Sequence, residues 1–387
     1  MLAVTALSAL GSTGYGLLAP AVVELADDYR VSVATVGLLQ TAVAVPGIVL
    51  TMVLGGLSDR LGRGRVALAC LALFSITGTA CVFVESFGVA VALRAAQGVG
   101  LAGLLTIPPT VIGEQLTGSA RSRWLAINTM MLTSASIVSP VLGGVLAGTG
   151  NPRNAFWAYT AGLLVAPSTV LVLGLGPGRR AAERGDPRAV IAGLRRLGTV
   201  WTTAGVLAVS VTTMVYMTGT MTTLLPVALD QVFDVPVSLR GIFVGLGNVG
   251  SVIASGILAL VAGRLGDRFQ MIGGLSVISG ALVLLSTAGS LWVVVPAMLL
   301  LGTGVSSTYN ACVNYMARQN VPGRGVLVGA WSAASRLGQA IGPLAAAGLL
   351  ALAAPMPAIA TAGVIGFAVV LGLILAVRSR SHRMFRS

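Results

Sequence analysis

Twelve apolar runs, each long enough to cross a bilayer, occupy nearly all of this 387-residue chain and leave it few folds to choose from. A helical span takes about 20 apolar residues. A backbone in hydrocarbon has to pair its own N–H and C=O groups, which only helices and closed barrels achieve. The runs are continuous rather than alternating with period two, so helices are expected over 2–23, 33–57, 66–84, 88–112, 124–147 and 155–175. A second set follows over 201–228, 240–262, 271–289, 291–316, 326–352 and 356–377. Charged residues make up only 9% of the chain, where a soluble domain carries roughly 25%. No room remains for a soluble catalytic domain.

The longest polar stretch, 176–200, divides the chain into residues 1–175 and 201–377, with a basic tail at 378–387. Val190, Ile191, Leu194 and Leu197 recur there at helical spacing beside arginines, which suits either a short amphipathic helix on the bilayer surface or a solvated linker. The net charge of +13 comes from 24 arginines and no lysine, set against 11 acids. With both termini cytoplasmic, all but five arginines fall on cytoplasmic loops and the tail. Arg30, Arg153 and Arg240 lie outside, and Arg94 and Arg336 lie within runs. That asymmetry predicts the orientation. The charges sit at helix ends without interleaved aromatics, so the basic balance points to the lipid bilayer and not to nucleic acid. Arginine-only usage with abundant alanine and glycine suits a GC-rich bacterial genome, hence a bacterial inner membrane. Cys70, Cys81 and Cys312 lie inside apolar runs with neither disulfide nor metal spacing, and the single histidine, His382, is in the tail. Residues 2–23 lack a positive leader and precede a second span, so they read as the first helix and not as a signal peptide. A few cytoplasmic residues upstream of Met1 are expected to be missing.

Between the second and third runs stands Gly55-x-Leu57-Ser58-Asp59-Arg60-x-Gly62-Arg63-x-Arg65, which reads as a hairpin loop at a membrane surface. Gly55, Leu57, Asp59 and Arg60 recur 208 positions later as Gly263, Leu265, Asp267 and Arg268, so the halves are repeats. The second copy has Gln270 and Met271 in place of Gly62 and Arg63. This loop resembles the one between helices 2 and 3 of the major facilitator superfamily of secondary transporters. The resemblance implies an all-α polytopic membrane protein of 12 transmembrane helices in two pseudo-symmetric six-helix bundles. It also implies that Asp59 contacts the eleventh helix across the two halves, in a switch that includes Gly55, Arg60, Gly62, Arg63, Asp267 and Arg268. Glu114, just past the fourth run, is placed to meet these arginines in a closing cluster or as a plain surface pair.

The fourth run holds Arg94, Gln97, Gly98 and Gly100, and the fifth Ala135-x-x-x-Ser139-Pro140-x-x-Gly143-Gly144. The first set resembles the superfamily's helix-4 motif, whose arginine is implicated in proton coupling. The second resembles the helix-5 motif of proton-driven exporters, with Ala135 and Ser139 replacing glycines. Gly338-x-x-x-Gly342-Pro343 echoes it in the eleventh run. An arginine at mid-span costs about 2.5–3.5 kcal/mol on insertion scales, so it faces a partner or a cavity. None of the 11 acids lies centrally in a run. Glu24 is therefore the nearest candidate for proton coupling, with Arg94 required to assist it. Without a mid-span acid, Arg94 and Arg336 could instead take a carboxylate-bearing substrate. Polar faces at Ser8, Ser12 and Tyr15, at Thr212, Tyr216 and Thr220, and at Thr303, Asn310 and Asn314 are substrate-cavity candidates. Asn248 and Gln339 could join them, and interhelical hydrogen bonding is the other reading.

The function expected from all this is proton-driven efflux of a small organic molecule or drug by alternating access, as in the 12-helix drug/proton antiporter branch. The protein would act as a monomer, with no cofactor and no metal. Uptake or exchange of an anionic metabolite is the rival, and a non-transporting membrane sensor is the rival from another class. No run carries an acid/base pair or nucleophile constellation, so an enzyme is not expected.

Overall fold

The computed structural model describes residues 1–174, 176, 200–260, 266–318 and 324–384, and every regular element among them is helical. The first half holds α1 (Leu2–Gly16), α2 (Val22–Asp28), α3 (Val33–Leu61), α4 (Arg63–Ala80), α5 (Phe87–Gln115), α6 (Gly118–Ala147) and α7 (Ala161–Leu173). The second holds α8 (Val200–Gly219), α9 (Leu225–Gln231), α10 (Val237–Leu260), α11 (Asp267–Ser286), α12 (Leu291–Arg318), α13 (Arg324–Leu352) and α14 (Pro355–Met384). The stretch 177–199, which holds most of the linker, lies outside the described residues, as do Gly263, Arg264 and Leu265 of the second loop copy.

Prolines and glycines account for most departures from the expected runs. Pro20 has no N–H to give the Gly16 carbonyl, so α1 stops there, a 3-10 turn (Ala19–Ala21) intervenes, and the column resumes as α2. Glu24 consequently sits in the first turn of α2, inside the column and not just beyond it. Pro226 similarly deprives the Thr222 carbonyl, and the chain from Thr220 to Leu224 widens into a π turn between α8 and α9. The expected loop at Gly55–Arg65 is mostly helix. Nothing from Gly55 to Leu61 interrupts the ladder of α3, and the turn is Gly62 alone, at φ 101°. The basic tail, too, begins as helix, because α14 continues through Met384.

Eleven helices among the described residues are long and apolar enough to cross a membrane. The twelfth expected span, α13, is 29 residues long, but Arg336 and Gln339 interrupt its apolar stretch. Buried apolar side chains form two clusters, one mainly from each half. The residues that cross over are Ala19, packed with the second-half cluster, and Val227, Val237 and Leu350, packed with the first. All four lie toward the end of the bundle opposite the chain termini, called the distal end below.

Helix contacts there are backbone to backbone. A Cβ at Gly143 of α6 would collide with the Leu17 carbonyl, and one at Gly241 of α10 with the Pro140 carbonyl. Gly143→Ala should therefore destabilise the fold by about 1–3 kcal/mol. Gly256→Ala on α10, where an added Cβ meets open space, should be neutral or stabilising. Thermal melting of the two purified variants beside the parent checks both.

Candidate functional site

Arg94 of α5 is fully buried, and four of its five N–H donors are met within the first half. Nε donates to the Leu39 carbonyl of α3 (3.2 Å) and Nη2 to the Gly14 carbonyl of α1 (2.9 Å). Nη1 donates to Gln97 Oε1 (2.6 Å) and to the Tyr159 hydroxyl (2.9 Å), in the 3-10 segment before α7. Every acceptor is neutral. Arg94 is therefore not beside Glu24 and does not open onto a substrate, contrary to both expectations from sequence. Its charge is already saturated.

Glu24 pairs instead with Arg240 of α10 at 2.9 Å, across the two halves. Arg240 is 97% buried (3% exposed). It also pairs with Asp230 of α9 and donates to the carbonyls of Val235 (2.8 Å) and Pro20 (3.4 Å). This cluster caps the distal end. Below it Pro140 cannot donate to the Ser136 carbonyl, and Asn248 of α10 takes the vacancy from the other half at 2.9 Å. Gly144 meets the Val237 carbonyl, and the Ser139 hydroxyl is buried beside Gly16 without a hydrogen-bond partner. On the other side of the bundle Thr41 of α3 donates to the Ala340 carbonyl of α13 at 2.8 Å, and Gly37 lies against Pro343. Of the helix-5 residues, Pro140 and Gly144 thus face the other half, while Ser139 and Gly143 pack against the end of α1 within their own half.

At the end carrying the termini, the ion pairs among the described residues stay within one half. Arg63 pairs with Asp59 and Glu114, a charge cluster confined to the first half, and it also bonds Ser58. Asp267 sits in the first turn of α11, where the helix dipole favours an acid, 3.5 Å from Arg318. Arg60 and Arg268 are exposed. Among the described residues Asp59 pairs with Arg63 one turn away, and the contact with the eleventh run that the resemblance implied is not found.

Between the two ends, Arg336 of α13 reaches across to the first half. Nη1 lies 3.4 Å from the Tyr15 hydroxyl, and Gly47 of α3 leaves room for the head group. The other cavity candidates separate. Tyr216 is buried and turns toward Gly366 of α14, so it faces the second-half core. Asn310 bridges Ser255 and Ser306, tying α10 to α12. Asn314 is exposed on the α12 face that also shows Tyr309. Sequence reasoning missed Arg240, Asp230 and Tyr159, because no spacing rule joins groups that far apart in the chain. The one signal available was that Glu24, Asp230 and Arg240 all map to the same end.

A family model described as Major Facilitator Superfamily matches residues 2–326. The chain belongs to that superfamily. Among curated superfamily relatives, a putative metabolite transport protein of Bacillus subtilis (strain 168), YwtG, is 26% identical over 171 residues, 43% of this chain and 36% of the relative. The bacillibactin exporter of the same organism is 28% identical over 154 residues, 38% of each chain. The matched stretches thus span well under half of these relatives' length. Among solved structures, a bacterial homolog of the human lysosomal transporter Spinster, inward-facing and unoccupied, superposes with TM-score 0.75. It does so at 18% identity over 97% of this chain and 94% of that one.

Because its donors already hold four parts of the bundle together, Arg94→Gln should lower the melting temperature whether or not a ligand is present. A loss of about 2 kcal/mol or more is expected, since buried carbonyls would be left unpaired. Thermal unfolding of the purified variant measures it, and an unchanged melting temperature would refute the scaffold role.

Proposed function

We propose that this protein is a secondary active transporter that exports a small organic molecule by alternating access, driven by the proton gradient. The observation that carries the reading is the asymmetry of its two ends. The halves are joined at the distal end by Glu24 with Arg240, Asn248 with Ser136, and Thr41 with Ala340. At the end with the termini the ion pairs among the described residues stay within each half. With the termini cytoplasmic, as the arginine asymmetry supports, this is a state shut to the outside. Export is supported by the likeness of the Ser139-Pro140-x-x-Gly143-Gly144 stretch to exporter motifs and by the exporter among its relatives.

Glu24 is the group that couples protons in this scheme. It shares one guanidinium with Asp230, and Arg240 keeps Asp230 when the halves separate. Asp27 and Asp28 add negative charge on the same short helix. Protonation of Glu24 from outside removes the single ion pair that crosses the halves among the described residues. Hydrogen bonds to charged groups contribute about 1.5–3 kcal/mol each, and about 2 kcal/mol shifts a two-state equilibrium roughly thirtyfold. An acidic exterior therefore favours opening outward.

Two results are expected. A Cβ at Gly148 would lie 3.2 Å from Ser238 Cβ, near the spacing of a disulfide. The double variant Gly148→Cys with Ser238→Cys should lose flux at least tenfold on oxidation and regain it on reduction. Full activity of the cross-linked protein would sink alternating access at this seal. In inside-out vesicles an acidic lumen should drive accumulation of the carried compound from a panel of acids, amines and neutral molecules. Glu24→Gln should leave exchange but abolish its response to the gradient, and accumulation that survives collapse of the gradient would defeat proton coupling.

A further inference from the structure

Arg94 and Arg336, the two arginines in the central part of the spanning helices, are both buried but unequally satisfied. Arg94 spends four donors on neutral acceptors. Arg336 is 92% buried (8% exposed), and its hydrogen bond among the described residues is the long one from Nη1 to Tyr15. Its Nε is buried without a partner. Nη1 is turned toward Tyr15 and Gly47, so the edge left without a protein partner is the one formed by Nε and Nη2. That edge presents two parallel N–H bonds, the fork that matches a carboxylate.

Among the described residues no acid supplies the carboxylate. Glu24, Asp27, Asp28, Glu85, Asp230 and Asp234 belong to the distal end, and Asp59, Glu114 and Asp267 to the opposite end. Glu183 and Asp186 lie outside the described residues. The charges of Arg336 and Arg94 both act on the Tyr15 phenol, and Arg336 acts also on Tyr309. Among the described residues no acid lies at the level of Arg94 and Arg336.

About one and a half turns from Arg336 toward the termini, α13 carries Trp331, whose ring meets Tyr309 of α12 edge-on at 4.8 Å. Trp331 Nε1 is a second buried donor without a partner, while Tyr309 remains 39% exposed. Trp331 is packed in the second-half core, and Tyr309 is the ring of this pair that is exposed.

We infer that Arg336, with Tyr15 at its flank, binds an organic monocarboxylate. The carboxylate takes the Nε and Nη2 edge. One guanidinium balances one negative charge, so a monoanion fits better than a dianion. This names the substrate class of the transporter proposed above and rests on that reading for the site's role in transport, though binding can be measured without turnover.

The test uses the full-length protein in detergent with a matched trio of probes: indole-3-acetate, indole-3-acetamide and tryptamine. Calorimetry and ligand-induced thermal shift should rank the acid tightest by at least tenfold. Arg336→Gln should remove that preference, weakening the acid at least tenfold and the amide by less than twofold. Arg336→Lys, which keeps the charge without the fork, should fall between. Gly47→Ala would place a Cβ 2.6 Å from Nη1, and it should weaken the acid selectively by displacing the head group. Equal loss of all three probes in Arg336→Gln, a preference for the amine, or absence of acid binding to the parent would each overturn the inference. Charge-selective binding in a protein whose cross-linked distal seal leaves flux unchanged would keep this site and discard only alternating access.

Discussion

A guanidinium held in hydrocarbon must be met by acceptors from its own protein, and the first half of this chain is assembled around the way Arg94 meets that demand. Inserting an arginine at mid-span costs about 2.5–3.5 kcal/mol. Each charge-assisted hydrogen bond returns about 1.5–3 kcal/mol, so the four it makes are enough to offset insertion. Two acceptors are helix carbonyls, those of Gly14 and Leu39. Reaching them requires α1 and α3 to lie close against α5, and Gly98 permits it, since a Cβ there would run into the Val43 carbonyl. The arginine and the glycines of one motif are thus a single packing device. With neutral acceptors throughout, the charge needs no proton or ligand to stay buried.

Proline shapes the interface between halves by what it withholds. Pro140 and Pro343 stand at matching places in the repeat, and each strips a carbonyl four residues earlier of its helical partner. In α6 the freed Ser136 carbonyl is claimed by Asn248 from the opposite half. In α13 the freed Gln339 carbonyl accepts from Thr218 of α8 within its own half, at the longer distance of 3.4 Å. One motif, used twice, ties the halves together in one copy and braces a single half in the other. The distal seal is built of such small contacts around one bridging ion pair.

The helices, the bilayer as solvent and the repeated halves could all be read from residue order, since span length, glycine and proline positions and the offset of 208 residues are local or periodic properties. The charge cluster of Asp59, Arg63 and Glu114 could be read as well. Its members flank the ends of consecutive helices, and short connections bring such ends together. The destinations of the long side chains could not be read. Tyr216 looked like a cavity residue because it lies on a polar face of its run, yet rotation of α8 about its axis, set by packing, turns it into the core.

Residue order by itself determined that this chain spans a membrane as helices, that it is a doubled unit of the major facilitator type, and that two arginines enter the apolar region without an acid beside them. Only the tertiary structure decided which of the two is saturated. That outcome depends on carbonyls and phenols contributed by helices 55 to 80 residues away for Arg94, and on a single phenol 321 residues away for Arg336. A hydrogen bond is satisfied within tenths of an ångström, and no pattern along the chain resolves distances that fine between groups so remote in sequence.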